Sequence, residues 1–158
     1  MVAFTACDTQ KAKKQEIKGK KIEAAKNMSI FNEAKRDAQK SYPTFLREFD
    51  NKKKSRAYNY SIRMSFQGFN TQEFLWLENL RYEIGVLNGI VSSDPKAITD
   101  VKKGDKLAIV PSRIVDWMFI KQDTLHGGYT IKVTRDQLTG EARKKFDKNF
   151  GFVISDKY

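Results

Sequence analysis

Thiol, imidazole and proline are scarce in this chain, with one cysteine (Cys7), one histidine (His126) and three prolines in 158 residues. A single thiol excludes an internal disulfide framework, and with one imidazole it leaves too few ligands for a cysteine- or histidine-rich zinc site. Any metal centre would have to be mostly carboxylate, and no spacing supports one. No apolar run approaches the roughly 18 residues that a membrane-spanning helix needs. The local patterns of common enzymes are also missing: no Gly-x-Ser-x-Gly elbow, no His-Glu-x-x-His pair, and no Cys–His couple placed as nucleophile and base. Paired carboxylates for glycoside hydrolysis cannot be picked out either. The expectation is a protein without cofactor or metal that acts by binding rather than catalysis.

What is present supports a folded body. Apolar residues make up 40% of the chain, including 11 Phe, 6 Tyr and 2 Trp. The length suits one domain with a real core. Charge is unevenly placed within the total of +11: residues 8–56 hold 15 Lys/Arg against 7 Asp/Glu, and residues 57–158 hold 15 against 12. Basicity therefore concentrates in the N-terminal third, where it acts on solubility and partner attraction rather than on fold.

Residues 1–8 read MVAFTACD. Phe4-Thr5-Ala6-Cys7 resembles the end of a bacterial lipoprotein signal, in which small residues precede the cysteine that takes the lipid. Two departures stand against it: Phe4 occupies an aliphatic position, and no charged n-region or full hydrophobic region precedes it. The competing reading is a short N-terminus with an incidental cysteine. If Cys7 carries lipid, the expected location is the periplasmic face of the inner membrane, otherwise the cytoplasm. Residues 9–26 offer only Ile17 and Ile22 as large apolar side chains, so a basic tether or frayed helix is expected there, interrupted at Gly19.

From residue 27 to 158 the patterning is that of a single domain. Asn27 or Ser29 can cap a helix whose apolar stripe is Ile30, Phe31, Ala34, Ala38 and Tyr42, with a break or kink near Tyr42 because Pro43 cannot continue it from within. A short turn follows, then the polar run Asp50–Arg56, read as a loop. The period then changes to two: Tyr58, Tyr60, Ile62, Met64 and Phe66 alternate with Asn59, Ser61, Arg63 and Ser65. Further strands are expected around Phe74–Leu80, Val86–Val91, Lys106–Val110 and Val115–Lys121, with a helical turn at Pro111–Ile114. Tyr129–Thr134 alternates like a strand, although Tyr129 and Val133 also lie one helical turn apart. Thr139 caps a final helix with Ala142, Phe146 and Phe150 on one face. The expected class is α+β: an N-terminal helix, a curved antiparallel sheet of about five strands and a C-terminal helix.

The densest run of unusual residues is DWMFIKQDTLHGGYTIKVTRD, from Asp116 to Asp136. It resembles the Asp-Trp-Met-hydrophobic…Gly-Gly-hydrophobic-Thr-hydrophobic-Arg signature of the YegJ-like bacterial proteins. The Lys103-Gly104-Asp105 turn, the Glu73–Leu77 strand and the helix before the sheet resemble the same family, in order, over about Ser29–Val153. The resemblance implies the fold and assigns no activity.

Each candidate for chemistry has a structural competitor. His126 has an unperturbed pKa near 6.5 and is a candidate acid or base with Asp116 or Asp123 to orient it, but the family position is often aliphatic. Gly127-Gly128 lacks the lysine and hydroxyl of a phosphate loop, and a turn needing positive φ explains it. Trp76 and Trp117 serve either a groove or the core, and Asp116 serves a turn or cap more naturally than a substrate. The candidate binding surface is Arg113, Asp116, Trp117, His126 and Arg135. The expected partner is another protein, acidic in its contact face, such as a toxin or an envelope protein. The alternative is nucleic acid, and a membrane enters only through a lipid on Cys7. A small hydrolase is the remaining reading.

Overall fold

In the computed structural model the backbone is described for residues 6–155, and the side chains for residue 21 and for 23–155. The described residues form two compact units, one ending at Glu33 and the other running from Ala34. The first is the leading part of a single helix, α1, which spans Ala6–Asp50. The side chain of Cys7, and the expected signal remnant around it, lie outside the described residues. No described helix is long and apolar enough to cross a membrane.

In the second unit α1 continues through Pro43, which corrects the expected break near Tyr42. Proline costs the helix one N–H donor and crowds the preceding turn. In the turn before Pro43 the Trp117 indole, from the sheet, donates to the Ala38 carbonyl at 2.8 Å, and the Ser41 hydroxyl, within the helix, to the Asp37 carbonyl at 2.6 Å. The run Asp50–Arg56, expected as a loop, contains one further helical turn, α2 (Lys52–Ser55).

The sheet has six strands where about five were expected, all neighbours antiparallel, in the order β4-β3-β2-β1-β5-β6. They are β1 (Tyr58–Gln67), β2 (Gln72–Glu83), β3 (Val86–Val91), β4 (Lys106–Ala108), β5 (Ile114–Lys121) and β6 (Thr124–Gly127). The additional strand is β6, four residues long and closed by glycine, too short for a period-two pattern to register. Two short helices complete the fold, α3 (Tyr129–Asp136) and α4 (Gly140–Phe150). Tyr129–Thr134 is thus helix, not strand.

Alternation along the strands builds two cores. On one face Ile62, Met64, Leu75, Leu77, Trp117 and Phe119 pack under α1 through Ala38, Phe45 and Phe49. Phe45 is fully buried, with Trp117, Tyr42, Tyr60 and Phe49 rings at 5.5–6.0 Å. On the other face Ile120, Leu125, Ile131 and Ile154 form a second cluster with Trp76, Met118, Phe146 and Phe150 at its margin. The first core uses α1, and the second uses α3 and α4.

Candidate functional site

The stretch from Asp116 to Asp136 folds as β5, β6 and α3, and Asp116 joins them. Its carboxylate is fully buried on the face opposite α1. Oδ1 accepts the backbone N–H groups of Trp117 (2.8 Å) and Tyr129 (3.1 Å). Oδ2 accepts the Thr130 N–H (2.7 Å) and the Thr130 hydroxyl (2.6 Å). Tyr129 and Thr130 open α3, whose first-turn N–H groups need partners from outside the helix. A carboxylate from the neighbouring strand therefore does the work of a capping residue, where Gly128 has no side chain to do it. This is why a β-branched segment, Thr130-Ile131-Lys132-Val133-Thr134, is helical: tertiary capping overrides its local preference. Burial pushes the Asp116 carboxyl above its usual range, and the four hydrogen bonds pull the other way.

Arg63, across the β1–β5 ladder from Asp116, completes the network. Its Nη1 donates to the Thr130 hydroxyl oxygen at 3.1 Å, and its guanidinium lies 5.7 Å from the Phe74 ring and 5.8 Å from the Trp76 ring. Its Nε is buried without a hydrogen bond. Desolvation lowers the Arg63 pKa and the Asp116 charge opposes that shift. Sequence reading noted Arg63 only as a polar member of an alternating strand. The available signal was an arginine on the strand face that elsewhere carries short polar side chains.

The glycine pair is equally committed. Gly127 and Gly128 have φ of +71° and +63°. A Cβ on Gly127 would lie 2.2 Å from the Trp117 carbonyl oxygen and 2.5 Å from its ring, and one on Gly128 would lie 2.6 Å from Leu125. The Gly128 N–H donates to that same Trp117 carbonyl at 2.8 Å. The turn is therefore wrapped against Trp117 and carries no open cradle for a phosphate.

The five residues expected on one surface are dispersed. Asp116 and Trp117 are interior, the first because it caps α3 and the second because its ring sits between Phe45 and Phe119. Arg113 lies near the far end of β1, donating from Nε to the Ser65 carbonyl (2.8 Å) and resting on Phe66. Arg135 joins α3 to α4 through two bonds to Asp147, of 2.6 and 3.0 Å. His126 is exposed and stacks on Phe119 with ring centroids 4.9 Å apart. Burial and the nearby Lys121 lower its pKa, which favours the neutral ring. Neither expected orienter reaches it: Asp116 is bound to α3, and Asp123 accepts the Tyr58 hydroxyl. Among the described residues no three His, Cys, Asp or Glu side chains gather as a metal site.

The chain is 32% identical over 100 residues to the uncharacterized protein YegJ of Escherichia coli, which covers 63% of this chain and 63% of that one. It is 29% identical over 84 residues to a putative ankyrin repeat protein of Neisseria meningitidis serogroup B, covering 53% of this chain and 33% of that protein. The matched segments thus span less than two thirds of either relative. No solved structure matches. The profile of a family described as "Uncharacterized protein conserved in bacteria (DUF2314)" matches residues 28–154, and the chain belongs to that family.

Proposed function

We propose that this chain is a non-enzymatic protein-interaction domain, a cell-envelope accessory or immunity-type protein that binds a partner and blocks it. The observation that carries the reading is the commitment of the family signature to the fold. Asp116, Thr130, Gly127, Gly128 and Trp117 are spent on capping α3 and closing the sheet. Arg135 is spent on Asp147, and His126 has neither proposed orienter within hydrogen-bond reach. With these side chains engaged in the fold, the reading rests on recognition by the surface rather than on a reactive centre in this stretch. The Neisseria relative's name adds support, because ankyrin-type repeats build extended protein-binding surfaces. The basic character of this chain suits an acidic partner through electrostatic steering.

Affinity purification of the full chain tests this. One stoichiometric protein partner, with binding weakened at high salt, is the expected result. Gel shifts with the 27–158 fragment test the nucleic-acid alternative: retained affinity with a steep salt slope would replace the protein-binding reading.

A further inference from the structure

The ladder between β1 and β2 stops short of both strands. Pairing runs from Gln67 opposite Gln72 to Ile62 opposite Leu77 and ends there. Beyond that point β1 pairs only with β5, through Ser61 and Tyr58, and β2 pairs only with β3, through Glu78 and Arg81–Glu83. The two central strands therefore part into a wedge, and each carries an irregularity beside it. The β1–β5 register shifts between Tyr58 and Ser61, where Asn59 has φ +54°, and the β2–β3 register shifts between Glu78 and Arg81, where Asn79 has φ +52°. Bulges bend a strand and increase its local twist, and asparagine tolerates the left-handed region best among side-chain-bearing residues. Two bulges set opposite each other hold the wedge open.

The wedge is a cleft of about 370 Å³ lined by Asn59, Tyr60 and Ser61 on one side and Glu78, Asn79 and Leu80 on the other, with Met118, Phe49 and Lys52 also lining it. Its chemistry is unspent. Among the described residues, the side-chain amides of Asn59 and Asn79 have no hydrogen-bond partner, and Lys52 has only the Phe49 ring, 3.9 Å below its ammonium. Lys53, Lys54 and Arg56 stand nearby in sequence, exposed and in no ion pair. Two amides, each donor and acceptor, match the main chain of an extended peptide, and Lys52 in the lining, with the exposed Lys53, Lys54 and Arg56 beside it in sequence, outweighs the one lining acid, Glu78, and favours carboxylate.

The geometry points to the β1–β2 wedge as the seat of an extended acidic segment of a partner protein, its backbone amides meeting Asn59 and Asn79 and its carboxylate meeting Lys52. This rests on the protein-interaction reading above and names where the partner sits. Strand-like addition of this kind takes affinity from main-chain hydrogen bonds and specificity from flanking side chains.

The test is fluorescence polarisation with the full chain and a labelled peptide of alternating Glu and Val, against a peptide of alternating Lys and Val. The Glu peptide should bind and the Lys peptide should not. Lys52→Glu should weaken binding by about tenfold or more. Asn79→Gly keeps the left-handed backbone, removes the amide and should weaken binding by about fivefold. Lys145→Glu makes the same change of net charge on α4 and should alter affinity by less than about twofold. Melting curves of each variant separate lost binding from lost fold, and ultracentrifugation detects self-association. No binding of the Glu peptide, equal effects of Lys52→Glu and Lys145→Glu, or a dimer that Lys52→Glu dissolves would each overturn the wedge. If a purified complex with one protein partner survives Lys52→Glu and Asn79→Gly together, the wedge fails while the interaction reading stands.

Discussion

At Asp116, a carboxylate is kept wholly out of water, and only converging donors make that tolerable. Three backbone N–H groups and one hydroxyl supply it, at 2.6–3.1 Å. Asp116→Asn turns one acceptor into a donor facing those N–H groups. It should cost about 2–4 kcal/mol, read as a lower urea midpoint with unchanged slope. Thr130→Val keeps the shape but removes the hydroxyl that links Asp116 to Arg63, and should cost about 1–3 kcal/mol. Gly127 is a steric rather than a polar requirement. With its would-be Cβ 2.2 Å from the Trp117 carbonyl and a positive φ, Gly127→Ala should cost about 3 kcal/mol or more, or prevent folding. A Gly127→Ala protein melting like the parent would refute the close approach.

Between elements, polar side chains fasten loops and helices that have little core of their own. Glu73 on β2 accepts the Lys96 N–H (2.8 Å) and the Ala97 N–H (3.0 Å), which pins the connection between β3 and β4. Those backbone donors hold the Glu73 carboxyl below its usual range. A carboxylate depressed in the folded state contributes stability above its unfolded pKa, about 4.3, and loses it as pH falls through the lower folded value. The Lys96 and Ala97 amide signals should therefore titrate together below about pH 4. Glu73→Gln should abolish that titration and raise their exchange at neutral pH. Signals insensitive to acid would show that the loop is held by something else.

For the molecule as a whole, the core begins at Ala34 and every buried apolar residue of both clusters lies beyond it. Removing residues 1–26 should therefore leave the melting temperature within about 2 °C, measured by calorimetry, since both described cores are kept whole. A large drop would mean that the leading helix carries stability. Partner binding that survives the truncation would place recognition in the family domain rather than in the basic segment.

The local patterns of the chain were enough to determine five of the six strands, the body of the helix before the sheet and the helix at its end, because burial imposes periods of two and 3.6 on consecutive residues; the first of these helices begins well before its expected caps Asn27 and Ser29. The Gly127-Gly128 turn was legible for the same reason, since it acts on its immediate neighbours, whereas Thr139 stands at the N-cap of α4 without the side-chain hydrogen bond expected of a cap. The rest depended on groups far apart in the chain. Whether Tyr129–Thr134 became helix was decided by a carboxylate 14 residues upstream, and the indole that binds the Ala38 carbonyl of α1 comes from 79 residues away. Arg63 entered the network through Thr130, 67 residues away. The wedge between β1 and β2 was invisible for the same reason: it arises from where two registers fail, and register is a relation between strands.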